Sequence, residues 1–96
     1  MSDVELSLTP KKHTVTIEYC VPCDYSARAL QVAGELVRNY QHVLDNLVLE
    51  MGSKGVFAVR LNGDTIFSKR KEGRHPAEGE VLERFRQHLD GVEETE

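Results

Sequence analysis

The hydrophobic period changes from two to nearly four across Cys20-Val21-Pro22-Cys23, and this switch constrains the fold of the 96-residue chain more than any other feature. Before it, Val15, Ile17 and Tyr19 alternate with Thr14, Thr16 and Glu18. Such alternation, rich in β-branched residues, marks a half-buried strand, because successive side chains point to opposite faces. After it, Ala29, Val32, Ala33, Leu36, Val37 and Tyr40 recur in steps of three and four and line one face of a helix. A strand therefore turns into a helix at the two cysteines. Asp24 and Ser26 stand where caps for the unpaired N–H groups of that helix are expected. The helix is expected to end before Val43.

Downstream, the apolar run from Val43 to Met51 suits a second strand starting near Leu47, broken by Gly52-Ser53-Lys54-Gly55. Val56 to Leu61 is apolar on both faces, as expected of a third strand near the middle of a sheet. Asn62-Gly63 then favours a type I′ hairpin, since both residues tolerate positive φ, and Thr65 to Ser68 form the returning strand. Lys69 to His75 reads as a basic loop. Pro76 can open a last helix, where its missing N–H costs nothing, with Val81, Leu82, Phe85 and Leu89 as the buried stripe.

The order is strand, helix, strand, strand, strand, helix. A strand–helix–strand unit joins two parallel strands by a right-handed crossover, and the hairpin adds antiparallel ones. The expected fold is α/β: a thioredoxin-like two-layer sandwich on a four-stranded mixed sheet. The length favours one domain. It is expected over residues 13–89, between a flexible N-terminal tail (1–12) and an acidic disordered tail (90–96).

Composition excludes several classes. A formal net charge of -4 argues against a general nucleic-acid binder. The three tyrosines and three phenylalanines also fall in core patterns rather than among basic residues. No stretch approaches the roughly 18 apolar residues of a membrane span. Met1-Ser2-Asp3-Val4-Glu5 is acidic and lacks the basic flank and apolar run of a signal peptide, so a cytoplasmic address is expected.

Two cysteines are too few to staple a secreted miniprotein, and their two-residue spacing points to redox chemistry or metal binding. Thiol–disulfide exchange needs one accessible thiolate and a second thiol close enough to resolve the mixed disulfide. A strand–helix junction supplies that proximity, and the helix N-terminus favours a thiolate; Asp24 works the other way. Structural zinc wants four ligands, and no two of His13, His42, His75 and His88 have ligand spacing, so a metal would need a second chain. Each histidine reads better as surface or packing. Tyr19 and Tyr25 flank the pair, as shields for a disulfide or as packing residues. Lys69, Arg70, Lys71, Arg74 and His75 could attract an anionic partner, though a solvated loop is the plainer reading.

Tyr19-Cys20-x-x-Cys23, the Leu30/Leu36 helix, Gly52-x-x-Gly55-Val56-Phe57-x-Val59, Asn62-Gly63, Ile66-x-Ser68-Lys69 and Gly73-x-His75-Pro76 occur in an order that resembles the selenoprotein W/T/H family. The likeness is to its bacterial cysteine-containing members of selenoprotein W type, and it runs from about Val15 to Leu89. It implies a thioredoxin-like fold and a thiol-redox role linked to glutathione or a thioredoxin-type reductant. In selenium-containing relatives selenocysteine occupies the second motif position, which maps onto Cys23. The resemblance thus implies that Cys23 reacts first, whereas helix-dipole reasoning favours Cys20. The leading expectation is a thiol–disulfide redox protein working through Cys20 and Cys23 on protein thiols, without an organic cofactor. The alternative is a protein-binding module whose cysteine pair senses redox state without turnover.

Overall fold

In the computed structural model, residues 13–94 are described, with side chains as far as residue 89. Strand β1 (His13–Cys20) is followed by helix α1 (Ser26–Tyr40) and a single 3₁₀ turn (Gln41–Val43). Strands β2 (Leu44–Gly52), β3 (Phe57–Leu61) and β4 (Asp64–Ser68) come next. The chain then forms a one-turn helix α2 (Lys69–Glu72) and a long helix α3 (Glu80–Glu94). The sheet order is β2-β1-β3-β4. β1 pairs in parallel with β2 and antiparallel with β3, and β3 pairs antiparallel with β4. This is the four-stranded mixed sheet expected from the alternation of periods.

The alternation in β1 decides which face is covered. Val15 and Ile17 are wholly buried, and with Tyr19, Phe57, Val59, Leu61 and Phe67 they form one cluster with Ala29, Val32 and Leu36 of α1 and Val81 and Phe85 of α3. Both long helices therefore pack on one side, giving two layers. On the other side Arg60 reaches Glu18 at 3.2 Å and Glu50 at 2.7 Å, so one guanidinium ties three strands across the open face. Each such half-exposed pair contributes little, about 0–1 kcal/mol, and the helix-facing cluster carries the stability.

The hairpin falls at Asn62-Gly63, with φ of 54° and 91°. Asn62 does more than turn. Its backbone N–H donates to the Thr14 carbonyl (2.8 Å) and its side-chain oxygen accepts the Thr14 N–H (3.0 Å), clamping the start of β1.

Several boundaries differ from expectation. β2 begins at Leu44 rather than near Leu47, because the 3₁₀ turn delivers the chain straight to the sheet. As an edge strand it shows Asp45 and Asn46 to solvent, which hides its start in the sequence pattern. The expected loop after Ser68 contains α2, whose first turn is capped when Ser68 Oγ accepts the Lys71 N–H (3.4 Å). The last helix starts at Glu80 instead of Pro76. Gly79 takes φ 80°, which a helix cannot contain, and Glu80 binds back to Ala77 through both its N–H and its carboxylate. At the other end α3 continues to Glu94, so residues 90–94 are helical where an acidic tail was expected. The expected tail 1–12 lies outside the described residues. No helix among those described is long and apolar enough to cross a membrane.

Candidate functional site

β1 delivers Cys20 to the end of the sheet between two neighbours. Its Cα pairs with Gly52 of β2, its N–H donates to the Val56 carbonyl (2.9 Å), and the Val21 N–H donates to the Gly52 carbonyl (3.0 Å). The chain then reverses, as the Asp24 N–H donates to the Val21 carbonyl (2.9 Å) and the Tyr25 N–H to the Cys20 carbonyl (3.3 Å). Asp24 takes φ 63°, a region short polar side chains visit more readily than others. Gly52 is packed tightly. A Cβ there would stand 2.9 Å from Val56 Cγ1 and 3.0 Å from Glu18 Oε2.

This frame joins Cys20 and Cys23 in a disulfide, with Cα atoms 5.3 Å apart. The two sulfur-bearing residues are not equivalent. Cys20 is 0% exposed, whereas Cys23 is exposed along with Val21 and Pro22.

The start of α1 faces this turn. Neither expected cap forms: Tyr25 holds the N-cap position without a side-chain bond, and the left-handed Asp24 instead meets Ser26 Oγ at 3.5 Å. No acid occupies the first turn. First-turn N–H groups without a side-chain cap leave a partial positive charge beside the cysteines, which favours a thiolate.

Strand direction brings further residues to the same end. β3 starts where β1 ends and β4 ends where β3 starts, so Phe57, Lys69 and the segment after α2 gather near the motif. The His75 ring stands edge-on to Tyr25 (centroids 4.5 Å apart) and to Phe57 (5.6 Å), and Lys69 Nζ lies 5.9 Å from the Tyr25 centroid. His75 Nδ1 is buried without a hydrogen-bond partner. Burial first, then the Arg28 and Lys69 charges, hold the His75 pKa below the ordinary histidine value. Next to it Arg74 makes a two-pronged pair with Glu80 (2.8 Å to each oxygen), and Arg84 bridges Glu80 and Glu72 (2.9 Å each). Arg74 donates mainly into that pair, which holds the Glu80 carboxyl down to about 2.

Thus Cys20 and Cys23 come together as the spacing required. Tyr25 stands beside them, while Tyr19 is a core residue. The other histidines lie elsewhere: His13 contacts Asn62, His42 stacks on Tyr40, and His88 is 3.7 Å from Asp64. No three His, Cys, Asp or Glu residues among those described come together as a metal site. The approach of His75 and Lys69 to Tyr25 was not legible locally. No spacing links positions 25, 69 and 75; only the strand order does.

Comparison with known proteins places this geometry in context. Residues 14–87 match the model of the Rdx family. Migration and invasion enhancer 1 of Bos taurus and of Mus musculus are each 30% identical over 77 residues, covering 80% of this chain. The chain spans 65% of the length of those relatives. The crystal structure of a selenoprotein W-related protein from Vibrio cholerae superposes with a TM-score of 0.78, over 82% of this chain and 99% of that one, at 24% identity. A crystal structure from Bordetella parapertussis gives 0.76 over 80% and 98%, at 28% identity.

Proposed function

The chain belongs to the Rdx family, and from that premise we propose that it is a thiol–disulfide redox protein whose Cys20 and Cys23 exchange electrons with thiols of other molecules. The observation that carries this reading is the unequal exposure of two cysteines joined in one disulfide. An attacking thiolate must approach along the S–S axis from the side it can reach, and the reachable sulfur is that of Cys23. The incoming sulfur bonds to Cys23, the S–S bond breaks, and Cys20 leaves as the thiolate. A second thiolate attacks the mixed disulfide, forming a new disulfide outside the protein and leaving Cys23 reduced. Two electrons pass from two thiols to the Cys20–Cys23 disulfide. In the reverse direction Cys23 attacks and Cys20 resolves.

The uncapped start of α1 supports thiolate chemistry at the turn, because its N–H groups stabilise the charge there, while the choice of Cys23 rests on its exposure. The reductant is glutathione or a thioredoxin-type protein in the cytoplasm, and the chemistry requires no organic cofactor. The alternative, a redox-sensing binding module, draws on the bonds from Cys20 and Val21 to Val56 and Gly52, through which a change at the pair would reach the adjacent loop.

The test is a redox titration in glutathione buffers, with alkylation and peptide mapping at each step. Cys20 and Cys23 are expected to lose alkylation together, as one two-electron couple, with the circular dichroism of the fold retained. Thiols that stay free under conditions oxidising a thioredoxin would overturn the proposal.

A further inference from the structure

The chain carries a net charge of -4, yet among the described residues most of the uncompensated positive charges collect around the exposed cysteine. Among the described residues, Arg60, Arg74, Arg84 and Arg86 are held in ion pairs. Arg28, Arg38, Lys54, Lys69, Arg70 and Lys71 are in none, and all but Lys69 are exposed; Arg38 lies in the last turn of α1, away from the motif. The five other than Arg38 sit on three segments that the topology brings to the Cys20–Cys23 end. Arg28 is in the first turn of α1. Lys54 is in the loop whose ends, Gly52 and Val56, bond to the motif. Lys69, Arg70 and Lys71 belong to α2, which ends at Glu72 and follows β4 at the same end. Lys69 meets the Tyr25 ring, and both Lys69 and Arg28 act on His75, so two of the segments converge.

The acids nearby do not cancel this charge. Glu72 and Glu80 are already committed to Arg74 and Arg84, and Glu18 to Arg60. Asp24, Glu35 and Glu78 remain, three acids against five cations, with Glu35 and Glu78 lining one cavity with Arg28. Meanwhile Asp45 and Asp64 stand at the starts of β2 and β4, away from the motif end of the sheet. The molecule is therefore polarised along its strands.

We propose that this basic rim is a docking surface that selects acidic polypeptides as the thiol or disulfide partners of Cys23. The inference rests on the redox reading of the pair and names its substrate class. Complementary charge at a reactive centre raises encounter rates and suppresses partners of the wrong sign, and the effect is screened by salt. An acidic segment carrying its cysteine meets five cations. A basic one meets the same five as repulsion.

The test uses the reduced protein and three synthetic peptides, acidic, neutral and basic, each with one cysteine joined in a mixed disulfide to the chromophore thionitrobenzoate. Cys23 attacks the peptide sulfur and the chromophore leaves as a coloured thiolate, which reads the rate. At low salt the acidic peptide is expected to react about tenfold faster than the basic one. That ratio should fall towards one at about 1 M salt, where the screening length is only about 3 Å. The double variant R70E/K71E, changed at two exposed positions, should lose most of the preference while keeping its rate with the neutral peptide. Equal rates for the acidic and basic peptides, or a preference indifferent to salt and to R70E/K71E, would overturn the proposal. Salt-sensitive retention on single-stranded DNA without any peptide preference would assign the rim to nucleic acid and equally overturn it. Failure of Cys23 to react with any peptide would instead overturn the redox reading beneath it.

Discussion

Cys20 and Cys23 are three residues apart in the sequence, and the turn between them places one inside the protein and the other at its surface. That asymmetry was open at the sequence level, where the helix dipole favoured Cys20 and the position of selenium in relatives favoured Cys23. The unequal exposure of the two residues is what supports the proposal that an outside molecule meets Cys23 first. His75 is the other residue whose surroundings have consequences. Burial, and then the Arg28 and Lys69 charges, disfavour its charged form, so the folded chain binds a proton there less readily. Unfolding releases it to the ordinary value near 6.5. The unfolded chain then binds a proton the folded chain does not, so stability falls as pH drops below about 6.5. Glu80 acts lower on the scale. Its folded carboxyl lies at about 2, so the stability it contributes is complete above its ordinary value and is lost as pH falls toward about 2. Urea midpoints are therefore expected to decline in two stages on acidification. His75→Phe, which keeps an aromatic ring against Tyr25 and Phe57, should abolish the first stage and leave the second. An unchanged first stage would show that another group causes it.

At the scale of elements, glycines with similar names in the sequence carry opposite expectations. Gly63 has φ 91° in the β3–β4 hairpin, where an added side chain is strained whatever the space around it. Gly34 lies inside α1, and the atoms nearest its added Cβ belong to the guanidinium end of Arg38, at 2.9 Å, which can swing aside. Gly63→Ala should destabilise by roughly 1–2 kcal/mol, and Gly34→Ala should stabilise by up to about 1 kcal/mol, the helix-propensity difference. Urea denaturation of both variants checks the signs, and shifts in the same direction would contradict the hairpin or helix assignment. The elements most legible in the sequence were those with clean periods: β1, α1, the Asn62-Gly63 hairpin and the stripe of α3. The ends of elements were less legible, because they depend on contacts with distant residues or on local bonds that leave no periodic trace. Ser68 capping α2 and Glu80 binding back to Ala77 move two boundaries without changing any hydrophobic pattern. The Asp24 and Ser26 caps failed because Asp24 is needed in the left-handed turn after Cys23.

Across the whole molecule, the order of strands does what spacing cannot. It sets the ends of β1 and β4 and the start of β3 at one edge, and so surrounds an exposed cysteine with Tyr25, His75 and unpaired cations drawn from positions 28 to 71. The motif itself was legible; the ring around it needed the fold. The family match over residues 14–87 and the likeness to a selenoprotein W-related structure agree with that architecture. The central claim is that Cys23 meets the outside and Cys20 resolves from within. Its most direct measurement is the intact mass of Cys20→Ser and Cys23→Ser after the same brief exposure to glutathione disulfide. Cys20→Ser is predicted to gain one glutathione on Cys23, while Cys23→Ser, with only the buried Cys20 left, gains little. A dominant adduct on Cys20 in Cys23→Ser, with Cys20→Ser unmodified, would contradict the account.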